Sequence, residues 1–262
     1  MASAMQRATD LVAKASSVVV LSGAGMSAES GVPTFRDAHT GLWERFAPEQ
    51  LATEEAFRAN PPMVWTWYVW RAMLVRSVHP NAGHEAIGRW QHHVAQQGGS
   101  LHVATQNVDD LHERGGAEDV LHLHGSLHAY RCLECDTPAR FDPATTGITA
   151  DQEFRPEDVV PTVDCQHCES GVLRPGVVWF GEMLPEQAFG AAVSALQEAD
   201  LVVVIGSSGL VQPAASLPLV GRDAGAAVIE INPAMTPISD TADVYLPSTA
   251  AVALPEMLGK VL

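Results

Sequence analysis

The chain has 262 residues, 47% of them hydrophobic, which is enough to bury the core of one large domain or two modest ones and excludes a disordered chain. Asp and Glu number 31 against 15 Lys and Arg, a formal charge of -16 that disfavours direct binding to nucleic acid or an anionic membrane. Such a surface would attract basic protein segments, although a merely solubilising role explains it more simply, and no apolar run approaches the length that crosses a bilayer.

Residues Met1 to Ala15 mix Arg7, Asp10 and Lys14 with apolar residues and lack the charged flank and apolar core of an export signal, so a cytoplasmic location is expected. In that reducing compartment the four cysteines are expected to bind metal rather than form disulfides. Ser16 to Leu21 is a β-branched apolar run that reads as a buried strand. It leads into Gly23-Ala24-Gly25-Met26-Ser27-Ala28, which satisfies the dinucleotide fingerprint with Ala in the third small position. Glycines there let backbone N–H groups approach a pyrophosphate. A small-residue turn at any tight strand–helix junction would look the same. The acidic residue that dehydrogenases carry about twenty positions later, at the end of a second strand, has no counterpart. The motif runs instead into Ser30-Gly31-Val32-Pro33-Thr34-Phe35-Arg36-Asp37, a polar loop holding an aromatic and a cation, so hydride transfer is the poorer reading.

Pro61 to Val78 is rich in Trp with helix-like spacing, which places Tyr68 and Arg71 on one face at i, i+3. Ala82 to Gln97 reads as a helix and Leu101 to Thr105 as a strand ending in Gln106-Asn107-Val108-Asp109. Three hydrogen-bonding side chains at a strand end suit a ligand, and equally a capping turn for a helix starting near Asp109 or Asp110. In His122-Leu123-His124-Gly125, strand alternation puts both histidines on one face, and Gly125 leaves space beside His124. A histidine near its ordinary pKa can act as a general base; a structural role or a His-x-His metal pair competes. Cys132-x-x-Cys135 and Cys165-x-x-Cys168 use every cysteine in the chain, and four thiolates match a closed, structural, tetrahedral zinc site; two disulfides are the alternative. The intervening segment to Gly171 is rich in Pro, Asp, Glu and Thr and breaks the pattern of alternating strands and helices.

That pattern resumes with a helix over Pro185 to Ala199, a strand over Leu201 to Gly206, a helix over Ala214 to Arg222 and a strand over Ala227 to Asn232. The fold class is therefore α/β, a parallel sheet covered on both faces by helices, with a small inserted module bracketed by the cysteine pairs. The expected division assigns residues 1–35, 79–129 and 172–262 to the sheet domain. Residues 36–78 and 130–171 form the small one, a helical part plus the four-cysteine module. The loops at the strand C-terminal ends fit one binding crevice.

Gly23-Ala24-Gly25-x-Ser27, Gly31 to Arg36, Thr105 to Asp109, His122-x-His124-Gly125, the cysteine pairs, Val178-Trp179-Phe180-Gly181-Glu182, Gly206-Ser207-Ser208 and Ile231-Asn232-Pro233 occur in sirtuin order. Nearly the whole chain resembles a sirtuin, an NAD-dependent protein-lysine deacylase, which implies that the parallel sheet is a Rossmann-like NAD-binding domain and the inserted module a smaller zinc-binding domain. The resemblance implies that the acyl-amide oxygen attacks the ribose carbon bearing nicotinamide, that His124 then acts as base on the ribose hydroxyls, and that the products are free lysine, nicotinamide and O-acyl-ADP-ribose. Gln106, Asn107 and Asp109 match contacts to nicotinamide and its ribose, with Asn107 counted beside His124 as catalytic. Gly23, Ala24, Gly25, Ser27, Thr34, Phe35, Arg36, Gly206, Ser207, Ser208, Asn232, Pro233 and Ala250 match other parts of the cofactor site. The extended run from Gly176 to Glu182, with Val178, Trp179, Phe180, Gly181 and Glu182, matches the segment that receives substrate peptide by strand addition.

Tyr68-x-x-Arg71 resembles the signature of the sirtuins that remove succinyl and malonyl groups, whose acyl chains end in a carboxylate; an ordinary amphipathic helix is the alternative. Expected cofactors are NAD as co-substrate and structural Zn²⁺. Expected partners are acyl-lysine proteins or peptides, with no membrane or direct nucleic-acid partner, and a monomeric state. An ADP-ribosyltransferase or NAD hydrolase, and a non-catalytic NAD sensor, are the rival readings.

Overall fold

The computed structural model describes residues 3–34, 51–152, 154–155 and 157–262. Its strands are β1 (Ser17–Ser22), β2 (Ser100–Thr105), β3 (Leu121–His122), β4 (Gly125–Cys132), β5 (Pro138–Ala139), β6 (Leu173–Val177), β7 (Leu201–Ile205), β8 (Ala227–Ile231) and β9 (Val244–Leu246). The helices are α1 (Ala4–Val12), α2 (Glu54–Ala59), α3 (Pro61–Ser77), α4 (Ala82–Gln96), α5 (Leu111–Arg114), α6 (Glu186–Glu198), α7 (Leu217–Asp223) and α8 (Ala250–Leu258).

Six strands form one parallel sheet in the order β3-β2-β1-β7-β8-β9. Its apolar strands are buried on both faces, as their near-continuous hydrophobic runs require. Val18, Val20, Val103, Val203 and Ile229 pack against α1, α4 and α8. Val19, Leu21, Val202, Val204 and Val228 point the other way, onto Ala192 and Leu196 of α6 and Leu217 of α7. The chain moves outward from β1 through β2 to β3, then returns to build β7, β8 and β9 on the other side. The order therefore reverses at β1, and the crevice between the C-terminal ends of β1 and β7 is where such sheets bind ligands. Register brings these ends level: Ser22 pairs with Thr105 on one side and Ile205 on the other.

A second sheet, β5-β4-β6, is antiparallel and has its own core. Trp65, Trp67 and Tyr68 of α3 pack there with Phe57 of α2, Leu127 and Tyr130 of β4, Leu173 and Val177 of β6, and Trp179. Asn81 joins α4 to the turn after β1. Its side-chain oxygen caps α4 by accepting from Gly83 N at 2.9 Å, while its amide donates to Met26 O at 2.9 Å and Ser30 Oγ at 3.0 Å.

The predicted strands and long helices lie within a residue or two of the observed ones, but four local expectations differ. The strand carrying His122 ends at that residue, and His124 lies in the following turn, so alternation does not relate the two histidines. Gly125 marks no open space: its φ is +72°, and a Cβ there would sit 2.0 Å from Gly176 O. The run from Gly176 is extended only to Val177, then turns so that Glu182 N donates to Trp179 O at 3.0 Å. The helix expected from Ala214 begins with a 3₁₀ turn, α7 proper starting at Leu217. Helices α1 and α8, strand β9 and the second sheet were not anticipated.

Candidate active site

The two glycine-rich loops meet at the β1/β7 crevice, main chain against main chain. Gly23 N donates to Ile205 O and Gly25 N to Gly206 O, both at 2.9 Å. A Cβ on Gly25 would lie 2.7 Å from Gly206 Cα, and one on Gly206, where φ is +58°, 2.5 Å from Gly25 C. This packing of main chain on main chain leaves no room for a side chain at either position. Asn232, at the end of β8, donates its amide to Ser207 O at 2.7 Å, and Gln106 donates to Ser207 Oγ at 3.1 Å, so β2, β7 and β8 are tied at one rim. Ala250 is buried at the start of α8 beside Gly83. Ser208 Oγ accepts from Leu210 N at 3.3 Å within the same loop, and Pro233 follows Asn232. Ala24 and Ser27 belong to the turn after β1, and Thr34 ends the described part of that segment. Phe35 and Arg36 lie outside the described residues.

Below the rim is a buried polar layer. Asn107 donates its side-chain amide to Ser27 Oγ at 3.1 Å, and its backbone N–H to Thr105 Oγ1 at 3.0 Å. Asp109 is buried and accepts from Leu111 N at 3.1 Å. Burial pushes its carboxyl up, while bonds from Leu111 N and the Ser27 hydroxyl pull the other way. Behind these stand three residues that the sequence did not single out. Ser22 Oγ lies 2.9 Å from Thr105 Oγ1 and 2.8 Å from His112 Nε2, and His84 stacks edge-on to His112 with ring centroids 5.0 Å apart. The signal available was a polar residue closing each of two apolar strands, Ser22 and Thr105; their register shows that they meet.

Burial pushes the pKa of His84 down to about 4 and that of His112, also repelled by His84, to about 3, from 6.5. Unfolded, both bind protons below about pH 6.5 that the folded protein refuses. Stability from this pair is therefore fully present above that pH and is lost as pH falls through the interval toward 4 and 3. Urea unfolding at pH 5 is expected to show a loss of about 2 kcal/mol per histidine relative to pH 7.5. His84→Gln or His112→Gln should flatten this dependence, and an unchanged slope in both variants would assign it elsewhere.

His124 and His122 diverge. His124 Nδ1 lies 3.0 Å from Gln106 O, and a carbonyl can only accept, so Nδ1 carries the proton and Nε2 the lone pair. Burial lowers its pKa, with the Gln106 bond opposing, so the ring is neutral at pH 7. His122 Nε2 instead lies 2.6 Å from Glu113 Oε1, and despite burial that carboxylate holds its pKa above the usual value. Among the described residues, the grouping of side chains able to share a metal is the four cysteines.

Those four Sγ atoms lie within 4.8 Å of one another, with Cys132–Cys168 at 3.6 Å and Cys135–Cys165 at 3.8 Å. A tetrahedron of thiolates about 2.3 Å from Zn²⁺ has edges of about 3.8 Å, so the donor set fits zinc. No disulfide joins them. Backbone N–H groups of Glu134 and Cys135 point at Cys132 Sγ, and that of His167 at Cys165 Sγ, as thiolates require. Gly171 leaves the room: a Cβ there would come within 2.3 Å of Cys132 Sγ and 2.7 Å of Cys168 Sγ.

The segment after β6 faces two ways. Phe180 is exposed and Val178 half-buried, with Val178 N donating to His124 O at 2.8 Å. Gly181 turns the chain at φ +88°. Trp179 is 1% exposed, its ring turned into the core, and Glu182 is held by a two-pronged ion pair with buried Arg174. Trp179 and Glu182 therefore do not offer their side chains to a peptide on the surface. Tyr68, 3% exposed, accepts the Trp179 indole N–H at 2.9 Å. The Arg71 guanidinium lies over the Trp67 ring at 4.8 Å, close enough to Tyr68 and Asp109 for both to hold its charge against the cost of burial.

The Sir2 family profile matches residues 23–213. A Mycolicibacterium paratuberculosis protein described as an NAD-dependent protein deacylase is 48% identical over 241 residues, covering 92% of this chain and 96% of its own. A Corynebacterium glutamicum protein of the same description is 42% identical, covering 97% and 95%. The crystal structure of a Sir2 homologue in complex with NAD, 41% identical, superposes with a TM-score of 0.83 over 97% of this chain and 93% of that one. A Sir2 protein solved with a deacetylated p53 peptide and 3′-O-acetyl ADP ribose, 27% identical, superposes at 0.80 over 98% of both chains.

Proposed function

The chain belongs to the Sir2 family of NAD-dependent protein deacylases, and we propose that this enzyme prefers acyl-lysines whose acyl chain ends in a carboxylate, succinyl and malonyl, over acetyl-lysine. The observation that carries this reading is the placement of Arg71 beside Tyr68 on α3, partly buried, its guanidinium seated 4.8 Å over the Trp67 ring. A planar guanidinium offers a carboxylate two parallel donors, and the Tyr68 hydroxyl adds a third. Burial pushes the Tyr68 pKa up to about 12, against the pull of Arg71, so its proton is present to donate.

NAD, when bound, supplies a ribose carbon bearing a cationic leaving group, nicotinamide. In the proposed reading the protein orients it. The backbones of Gly23, Ala24, Gly25 and Gly206 cradle the pyrophosphate, with Ser27, Thr34, Ser207, Ser208, Asn232, Pro233 and Ala250 around the rest of the dinucleotide and Phe35 and Arg36 from the loop beyond. Gln106, Asn107 and Asp109 face nicotinamide and its ribose. His124 takes a proton from the ribose hydroxyls at Nε2, Nδ1–H being held by Gln106 O. Substrate peptide lies along Val178, Phe180 and Gly181.

We further propose the two-unit division given above, with the four-cysteine module and α3 in the smaller unit, and a cytoplasmic monomer that does not bind nucleic acid directly. Among the described residues no helix is long and apolar enough to cross a membrane.

Matched succinyl-lysine and acetyl-lysine peptides, followed by mass spectrometry with and without NAD, test the preference. Succinyl loss faster than acetyl loss, with nicotinamide and O-succinyl-ADP-ribose appearing, is the expected result. Arg71→Met should then depress desuccinylation about tenfold more than deacetylation, the worth of a charge-assisted hydrogen bond. Equal losses would remove the carboxylate pocket and leave the deacylase.

A further inference from the structure

We propose that Trp179 is a specificity-determining positioning residue: its indole N–H, bonded to the Tyr68 oxygen, turns the Tyr68 proton toward the terminal carboxylate of the acyl group. The proposal rests on the reading of Tyr68 and Arg71 as an acid-binding pair.

A phenol oxygen that accepts one hydrogen bond must send its own proton in another direction. Trp179 Nε1 donates to Tyr68 Oη at 2.9 Å in a buried setting, so the donor side of the hydroxyl is directed away from the indole. Trp179 is itself held on three sides. The Arg174 guanidinium carbon stands 3.4 Å from the centroid of its ring. Its backbone N–H donates to Glu182 Oε2 at 2.8 Å, and Phe57 packs on it with ring centroids 5.3 Å apart. Glu182 in turn accepts from both terminal nitrogens, Nη1 and Nη2, of Arg174, and Arg174 Nη2 also donates to Val177 O at 3.0 Å. The chain of contacts Glu182–Arg174–Trp179–Tyr68 thus runs from a fixed ion pair to the hydroxyl without a freely rotating member. A phenylalanine at position 179 could keep the stacking on Arg174 and the backbone bond, but would release the Tyr68 hydroxyl to rotate. The cost of ordering it would then fall on carboxylate-ended acyl groups and not on acetyl, which has no group for Tyr68 to meet.

The test is the ratio of kcat/KM for succinyl-lysine over acetyl-lysine peptide, in the full-length zinc-loaded enzyme. Trp179→Phe is expected to lower that ratio about three- to tenfold, the worth of one neutral hydrogen bond, with the change in KM for the succinyl peptide. In a Tyr68→Phe background the same substitution should leave the ratio where Tyr68→Phe alone put it, because the oxygen through which Trp179 acts is gone. A merely structural role predicts an equal further change in both backgrounds, and that result, or an unaltered ratio in the single variant, overturns the proposal. Should Trp179→Phe not fold, 3-benzothienylalanine at position 179 keeps the bicyclic shape and removes only the N–H; the same two outcomes apply. If the unsubstituted enzyme shows no Arg71-dependent preference for succinyl, the acid-binding reading fails and takes this one with it. If that preference is present and the ratio ignores position 179, only the role of Trp179 fails.

Discussion

His124→Ala is expected to lower deacylation by about 10²–10⁴-fold, the usual contribution of a positioned general base. The expectation follows from a tautomer. Gln106 O fixes the proton on Nδ1, so in the neutral ring Nε2 is the nitrogen able to take a proton. Because burial lowers the His124 pKa, the neutral form persists below the ordinary histidine range. The acid limb of kcat/KM should therefore begin below about pH 6.5 and disappear in the variant. NAD affinity, read by calorimetry, should change by no more than about threefold, since Nδ1 is spent on backbone rather than on the cofactor cradle. A variant retaining full turnover, or one whose defect lies wholly in NAD affinity, would move the base elsewhere.

Zinc removal is expected to be nearly as damaging by a different route. Purified protein should contain one zinc per chain. A chelator should abolish turnover and lower the melting temperature by about 10 °C or more, because a closed thiolate site contributes folding energy directly. The physical link runs through the second core. Cys132 ends β4, and the same strand places Leu127 and Tyr130 against Trp65, Trp67 and Tyr68. Releasing the cysteine end loosens the wall that carries Tyr68, while the parallel sheet keeps its own cores. Hydrogen exchange should therefore rise over β4, β5 and β6 and stay low over β1, β2 and β7. Gly171→Ala should reproduce the effect in milder form, with zinc retention weakened about tenfold or more, since its methyl group would meet two of the four sulfurs. Zinc-free protein with full activity would contradict the assignment.

The large sheet was legible because each of its long strands is covered on both faces and so reads as an unbroken apolar run, Val18-Val19-Val20-Leu21 or Leu201-Val202-Val203-Val204-Ile205. The small sheet carries no such signal. Its longest strand, β4, is irregular between Ser126 and Tyr130, β5 has two residues, and both are organised by the cysteines. Strand β9 is three residues long, and α8 contains Pro255, which argues against a helix when read locally. In the candidate site, the grouping of short motifs was legible in the chain: the glycine turn comes to the β1/β7 crevice, the cysteine pairs close on one another, and His124 meets Gln106 O. What could not be read was which side chains face each other. Ser22, His84 and His112 form one buried layer from three separated elements. Trp179, placed by its motif at the peptide surface, is turned inward by Arg174, fifth before it in the chain, and by Tyr68 across the core.

The contact between Gly25 and Gly206 has a consequence for descent. Any amino-acid substitution at either position adds at least a methyl group, which meets main chain and not a side chain that could shrink in answer. A second substitution at the other glycine cannot make room, because there is nothing there to remove. The two loci therefore have no compensatory path between them, and drift is closed at both. They would stay fixed even in a lineage that had ceased to consume NAD, so that persistence of the pair marks inheritance of the scaffold rather than continued use of the site.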